Sequence, residues 1–249
     1  MRPRRASAAL AAGLVALAFG GCTRAPRTLP RTRAEAALNY VALGGGDVAG
    51  DGTGDALREA WPQVLFRTAL PRSATFVNVA STGATVQDVL DRQVPLAVAL
   101  RPTLVTMSVF DDLFRDTPIP TFEAALRSAV HQVRGNGSTR VLLANIGLFD
   151  QRPGYRACVT PQSTAGLTCT LGTPVLPPAA LAARTDDLNA AITRVARAEG
   201  ATVVDLHAAE LADRAAGREA SHYTDAITPN ADGARAVAAV FAAARAQRP

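Results

Sequence analysis

Five short apolar runs recur along the chain, at Tyr40–Leu43, Thr75–Ala80, Leu104–Val109, Arg140–Asn145 and Thr202–Asp205. Each is too short for a stable helix and is bounded by polar or turn-forming residues, so each is predicted as a buried strand. Longer stretches between them repeat apolar residues every three or four positions. They predict helices over Asp55–Leu70, Val86–Gln93, Phe122–Arg134, Pro178–Glu199 and Asn230–Ala246. Gly135-Asn136-Gly137 and Gly200 stand where helix stops belong, and Thr121 is a plausible helix start. Strand and helix alternate, which implies one parallel sheet sandwiched between helices. Ligands of such sheets sit beyond the carboxyl ends of the strands. The turns at Gly44–Gly46, Ser81–Gly83, Phe110–Asp112 and Asp225–Thr228 are therefore predicted to meet at one site.

The first 36 residues break this pattern. Arg2, Arg4 and Arg5 precede an apolar stretch, Ala8–Phe19, too short to span a bilayer, which reads as a signal peptide over residues 1–21. The stretch ends Ala18-Phe19-Gly20-Gly21-Cys22, similar to a bacterial lipobox. Cleavage before Cys22 and lipidation of its thiol are expected, the alternative being an ordinary secretory signal with an incidental cysteine. The protein is thus expected to be exported and held at the extracytoplasmic face of the cell envelope by membrane lipid on Cys22. Residues 22–36, rich in Pro and Arg, read as a flexible basic tether, leaving residues 37–249 as the folded domain. The whole chain has a formal charge of +5, with 26 basic and 21 acidic residues. Seven arginines and one glutamate precede residue 37, so the domain carries 19 basic against 20 acidic residues. That balance lacks the footprint of a nucleic-acid binder.

Cys158 and Cys169 form an even pair in an exported chain and are predicted to be disulfide-bonded. The spacing does not suit a metal, and no metal or other cofactor is expected.

Four motifs carry chemistry. Tyr40-Val-Ala-Leu-Gly-Gly-Gly-Asp-Val48 is a strand running into a glycine turn, and Asn78-Val-Ala-Ser-Thr-Gly83 holds a second turn glycine. Val109-Phe-Asp-Asp112 ends the third strand, and Asp225-Ala-Ile-Thr-Pro-Asn-Ala-Asp-Gly233 precedes the last helix. Together, from about Asn39 to the C-terminus, they resemble the SGNH/GDSL hydrolases. The resemblance implies a three-layer α/β/α domain with a flavodoxin-like sheet. It also implies a serine at position 46 (or at Val48, if Gly46-Asp47 is matched to the family's Gly-Asp), an oxyanion-hole glycine at Gly83, an asparagine at 111 and a histidine at 228, paired with Asp225. The chain has Gly46, Asp111 and Thr228 at three of those positions. Gly46 brings no nucleophile, Thr228 no base near neutral pH, and an ionised Asp111 is acceptor-only where a donor belongs. Ser81 is expected to cap a helix, and His222 to be a solvated loop residue or a substitute base. His131 and His207 are expected to be structural, and Trp61 to lie in the core.

Two classes follow. The first is a catalytically inactive envelope lipoprotein in which Asp47, Asp111, Asp112 and Asp225 hold a small polar, cationic or carbohydrate ligand. The second is an esterase acting on ester or acyl-carbohydrate substrates with rearranged residues. In the bland alternative Asp112 and Asp225 merely bind loop N–H groups and Asp47 faces solvent.

Overall fold

The computed structural model describes residues 38–135, 137–160, 167–169, 171, 175–223 and 227–247. All five predicted strands form, as β1 (Asn39–Gly44), β2 (Thr75–Asn78), β3 (Leu104–Ser108), β4 (Arg140–Ala144) and β5 (Thr202–Val204). They make one sheet in the order β2-β1-β3-β4-β5, every pairing parallel. This is the expected flavodoxin-like arrangement, whose order reverses beside β1.

Period-two alternation along β1 divides the core into two layers. Val41 and Leu43 face one helical layer with Leu126, Leu188 and Ile192. Tyr40 and Ala42 face the other with Trp61, Leu65 and Phe241. The first layer is built by α4 (Val86–Asp88), a π-helical turn (Val89–Gln93), α5 (Val94–Ala99), α6 (Ile119–Arg134) and α8 (Pro178–Glu199). The second contains α3 (Trp61–Ala69) and α11 (Ala231–Ala246), joined by Trp61 stacking on Phe241 at 4.1 Å between ring centroids. Tyr40 is buried, and its hydroxyl pairs with Thr106 Oγ1 at 2.8 Å, which satisfies its one polar atom. Shorter helices cap the carboxyl ends of the strands: α1 (Gly46–Ala49), α2 (Ala56–Glu59), α7 (Pro153–Val159), α9 (Leu206–Ala215) and α10 (Glu219–His222).

Several boundaries differ from the sequence expectation. The helix predicted over Asp55–Leu70 breaks at Ala60, whose ψ of 139° is extended. Pro62 explains the break: a proline inside a continuous helix would lose a hydrogen bond and strike the carbonyl of Arg58. The helix predicted to end at Gln93 instead continues through the π-turn to Ala99. Thr85, not Ser81, is the cap there. Its side chain accepts from Asp88 N–H while Asp88 accepts from the Thr85 N–H. Helices α7 and α9 were not anticipated.

Cys158 and Cys169 are bonded across a sequence separation of 11. Closing a loop of that size removes enough denatured-chain entropy to stabilise the fold by about 3 kcal/mol. Reduction, or Cys158→Ser with Cys169→Ser, is expected to lower the thermal midpoint by roughly 6–12 °C. A midpoint that does not change on reduction, read by circular dichroism, would contradict this.

Candidate functional site

The end of β1 is tied down before any functional group is placed. Gly44 adopts φ +147°, and a Cβ there would sit 2.1 Å from the Ser108 carbonyl oxygen. Only glycine allows β1 and β3 to approach this closely. Both backbone groups of Gly44 are met by one buried side chain, its N–H donating to Gln93 Oε1 at 2.8 Å and its carbonyl accepting from Gln93 Nε2 at 2.9 Å. The Gly45 N–H reaches the Ser108 carbonyl at 3.3 Å. The turn is therefore rigid.

Two carboxylates occupy the space that side chains on this turn would fill. A Cβ on Gly45 would lie 1.8 Å from Asp111 Oδ2, and one on Gly46 would lie 2.6 Å from Asp51 Oδ2. Asp51 is held there by the Thr82 hydroxyl, which donates to Oδ1 at 2.9 Å. Gly50 and Gly52, at φ +98° and +88°, make the tight loop around it, and Gly52 packs on Thr228 and Pro229. These groups line one cleft of about 410 Å3. Gly46, Gly83, Asp111 and Thr228 all face it, together with Phe110, Phe114 and Arg115. Two further hollows, of about 240 and 560 Å3, open near Thr185 and Arg156 and include neither Gly46 nor Gly83.

Burial, and next the charge of Asp47, raise Asp111 to about 7, with the Gly46 N–H pulling it partly back. Its Oδ2 is buried with no hydrogen-bond partner among the described residues. Asp47 itself is 8% exposed, accepting from Ser108 Oγ at 2.8 Å and Trp61 Nε1 at 3.3 Å. Desolvation pushes it to about 6 against those two hydrogen bonds.

Behind the cleft lies a buried ion pair. Arg152 Nη2 meets both carboxylate oxygens of Glu210 at 2.9 and 3.0 Å, while Nη1 donates to the Ile227 carbonyl at 2.7 Å. Glu210 also accepts from Tyr223 OH at 2.8 Å and from the Leu148 N–H at 2.6 Å. The guanidinium stacks 3.6 Å above the Phe149 ring centroid. This network fixes the loop carrying Ile227 and Thr228, since Arg152 holds its backbone directly.

The sequence model of the GDSL-like lipase/acylhydrolase family matches residues 42–236. The chain belongs to that family. No match is found among curated proteins. Solved structures similar to it include a GDSL-like lipase, described as putative, from Parabacteroides merdae (11% identity, TM-score 0.63, covering 83% of this chain and 94% of that one). An acetylxylan esterase from Geobacillus stearothermophilus aligns at 17% identity and TM-score 0.61, over 85% of this chain and 95% of its own. The lipase/acylhydrolase from Enterococcus faecalis aligns at 19% identity and TM-score 0.60, over 83% and 94%. At these identities the likeness concerns the fold.

Against the GDSL pattern, the structure gathers four positions and disperses others. Gly46, Gly83, Asp111 and Thr228 share the cleft. Asp225 lies outside the described residues, as does Cys22. Asp112 is a correction: it is fully buried and accepts from the Val86 N–H at 2.6 Å, so it anchors the start of α4 and does not line the cleft. Asp47 is another, because α1 turns it inward onto Ser108 and Trp61, away from both cleft and solvent. His222 faces Asp213 at 3.4 Å, His131 faces Glu199 at 3.0 Å, and His207 packs against Ile146 O at 3.3 Å. None of them lines the cleft. Asp51 was missed, although Gly50-Asp51-Gly52 marks a turn with one functional side chain. Gln93, Arg152 and Glu210 carry no comparable signal in the sequence.

Asp111 yields a pH prediction for this GDSL domain. Its folded value exceeds that of a free carboxyl, so the native state holds the proton more tightly. Stability is greatest below the unfolded value and falls as pH rises through about 4 to 7. Asp111→Asn should therefore raise the thermal midpoint above pH ~7 and change it little near pH ~4. A midpoint difference that is flat across that range would refute the assignment.

Proposed function

We propose that this protein is an exported, lipid-anchored member of the GDSL family that has given up serine hydrolysis and holds a small cationic ligand in the cleft. The observation that carries this reading is the Asp51 carboxylate in the slot where a side chain on Gly46 would lie. With Gly46 and Thr228 at the serine and histidine positions, no serine–histidine pair faces the cleft among the described residues; the Thr82 hydroxyl there is bonded to Asp51. Asp111 adds a carboxyl group where negative charge would develop in ester hydrolysis, and an ionised carboxylate there opposes that charge. Two carboxyl groups and the rings of Phe110 and Phe114 instead suit an amine or quaternary ammonium group, by charge and by attraction to the aromatic faces. The described residues gather no three His, Cys, Asp or Glu side chains at a metal-sized site, which favours an organic cation over a metal ion.

A second reading rests on the same two carboxyls. Below neutral pH Asp111 is largely protonated and can donate a hydrogen bond to an oxyanion, as a neutral carboxylic acid does in other low-dielectric sites. Asp51 would then take a proton from water as that water attacks an ester carbonyl. Ester turnover confined to acid pH and abolished by Asp51→Asn would favour this reading over binding alone.

The test of the first reading is a fluorophosphonate probe, which should not label the natural protein. Covalent labelling mapped to a serine or threonine around Gly83 would overturn it. Restoring the family residues needs more than Gly46→Ser, Asp111→Asn and Thr228→His, because a serine Cβ meets Asp51. Asp51 has to swing aside or be replaced by Ala as well, and partial combinations are expected to return little activity because triad members act as a unit.

Anchoring through Cys22 is supported by the sequence pattern before it. Cys22→Ser should leave unprocessed precursor or release soluble protein on membrane fractionation. An unchanged distribution would count against the anchor.

A further inference from the structure

The end of the domain opposite the cleft is unlike the rest of its surface. Helix α5 turns Val94 and Ala97 inward and leaves Leu96 (56%), Val98 (45%) and Leu100 (37%) exposed within five residues. Arg101 follows at φ +49°, a positive value that non-glycine residues rarely adopt. The strained turn thus presents an arginine beside an apolar ridge.

Charge is uneven along the strand direction. The segments leading into β2, β3, β4 and β5, with the end of α11, carry Arg72, Arg101, Arg134, Arg140, Arg197 and Arg245. Their one described carboxylate is Glu199, which faces His131. Arg134, Arg140 and Arg245 donate to main-chain carbonyls, so their charge is not cancelled by a carboxylate. Arg72, Arg101 and Arg197 are exposed, with no carboxylate in salt-bridge range among the described residues. The cleft end is mixed, with Asp51, Asp111, Asp116, Asp205 and Asp232 accompanied by Arg115, Arg184 and Arg235.

The chain also enters the domain at this basic end. Asn39 Nδ2 donates to the Leu100 carbonyl at 2.5 Å, and Asn39 N–H to Thr103 Oγ1 at 2.9 Å. Immediately upstream in sequence stand Arg24, Arg27, Arg31 and Arg33. Cys22 precedes Leu38 by 16 residues in the sequence.

We infer that this basal face, with Leu96, Leu100 and Arg101 at its centre, rests on an anionic lipid bilayer. Apolar side chains beside unneutralised arginines are the combination an anionic membrane interface takes up, the former by burial and the latter by surface potential. The docked domain points its cleft away from the membrane. The inference goes beyond the reading of the cleft and does not require lipid on Cys22.

The test uses residues 23–249, which contain every described residue and both core clusters but neither Cys22 nor the signal segment. Sedimentation at low salt with phosphatidylglycerol–phosphatidylcholine vesicles should show binding that neutral phosphatidylcholine vesicles lack. Arg101→Gly should weaken it about five-fold, and Leu96→Ser with Leu100→Ser about ten-fold. Glycine relieves the positive φ at 101, so weaker binding with an unchanged or higher thermal midpoint cannot be unfolding. Amide exchange across 96–103 should slow on anionic vesicles. Absence of binding, affinity indifferent to all three substitutions, or exchange slowed only in the tether would overturn the inference.

Discussion

The approach of β1 to β3 at Gly44 is the constraint on which the site depends. With 2.1 Å between a hypothetical Cβ and the Ser108 carbonyl oxygen, the strands close only around glycine. Gln93 then satisfies both backbone groups that the turn exposes. Everything downstream inherits this rigidity. Gly45 and Gly46 emerge at a fixed place, and with no side chains of their own they leave volume that Asp111 and Asp51 occupy. A GDSL scaffold thus retains the geometry of its turn while exchanging the chemistry at it.

Desolvation connects that exchange to stability. Asp47 and Asp111 both sit where burial raises their proton affinity, and the charge of Asp47 raises that of Asp111 further. In a solvated loop such a pair would cost little, whereas in a low-dielectric cleft it disfavours the doubly ionised state. The Arg152–Glu210 pair behaves differently, because nearly every polar atom of Glu210 has a partner and the guanidinium lies against aromatic rings. The two systems lie within one region, Asp47 and Arg152 bordering the same small internal space. One holds the final loop, with Arg152 Nε its one unpartnered atom among the described residues, and the other keeps two carboxyl groups at raised proton affinity, Asp47 in the core and Asp111 on the cleft wall.

Much of the fold was legible because its strands are buried on both faces and read as unbroken apolar runs. Tyr40–Leu43 and Leu104–Val109 could hardly be anything else in an alternating chain. The break at Ala60 was legible too, had Pro62 been weighed against the periodicity around it. Helix α7 was hidden in a Pro/Gly-rich stretch, and α9 is a short alanine-rich helix that buries only Leu206 and Glu210. At the site, glycines marked where backbone approaches backbone, so the place of the cleft could be read. Its carboxylates could not, since Asp47 and Asp51 differ by four positions and yet one points into the core and the other into the cleft. That difference arises from the single turn of α1 and from the left-handed Gly50 and Gly52, a geometry no one-dimensional pattern encodes.

Asp51 has a consequence for the history this gene can still follow. One codon change at position 46 could bring back a serine, but the new side chain would meet a carboxylate already seated in its place. A serine there would require the Asp51 carboxylate to swing aside, and a loss of Asp51 would turn the exposed Thr82 hydroxyl to solvent. A side chain at position 46 and the Asp51 carboxylate thus compete for one volume, so any change at either position is felt at the other.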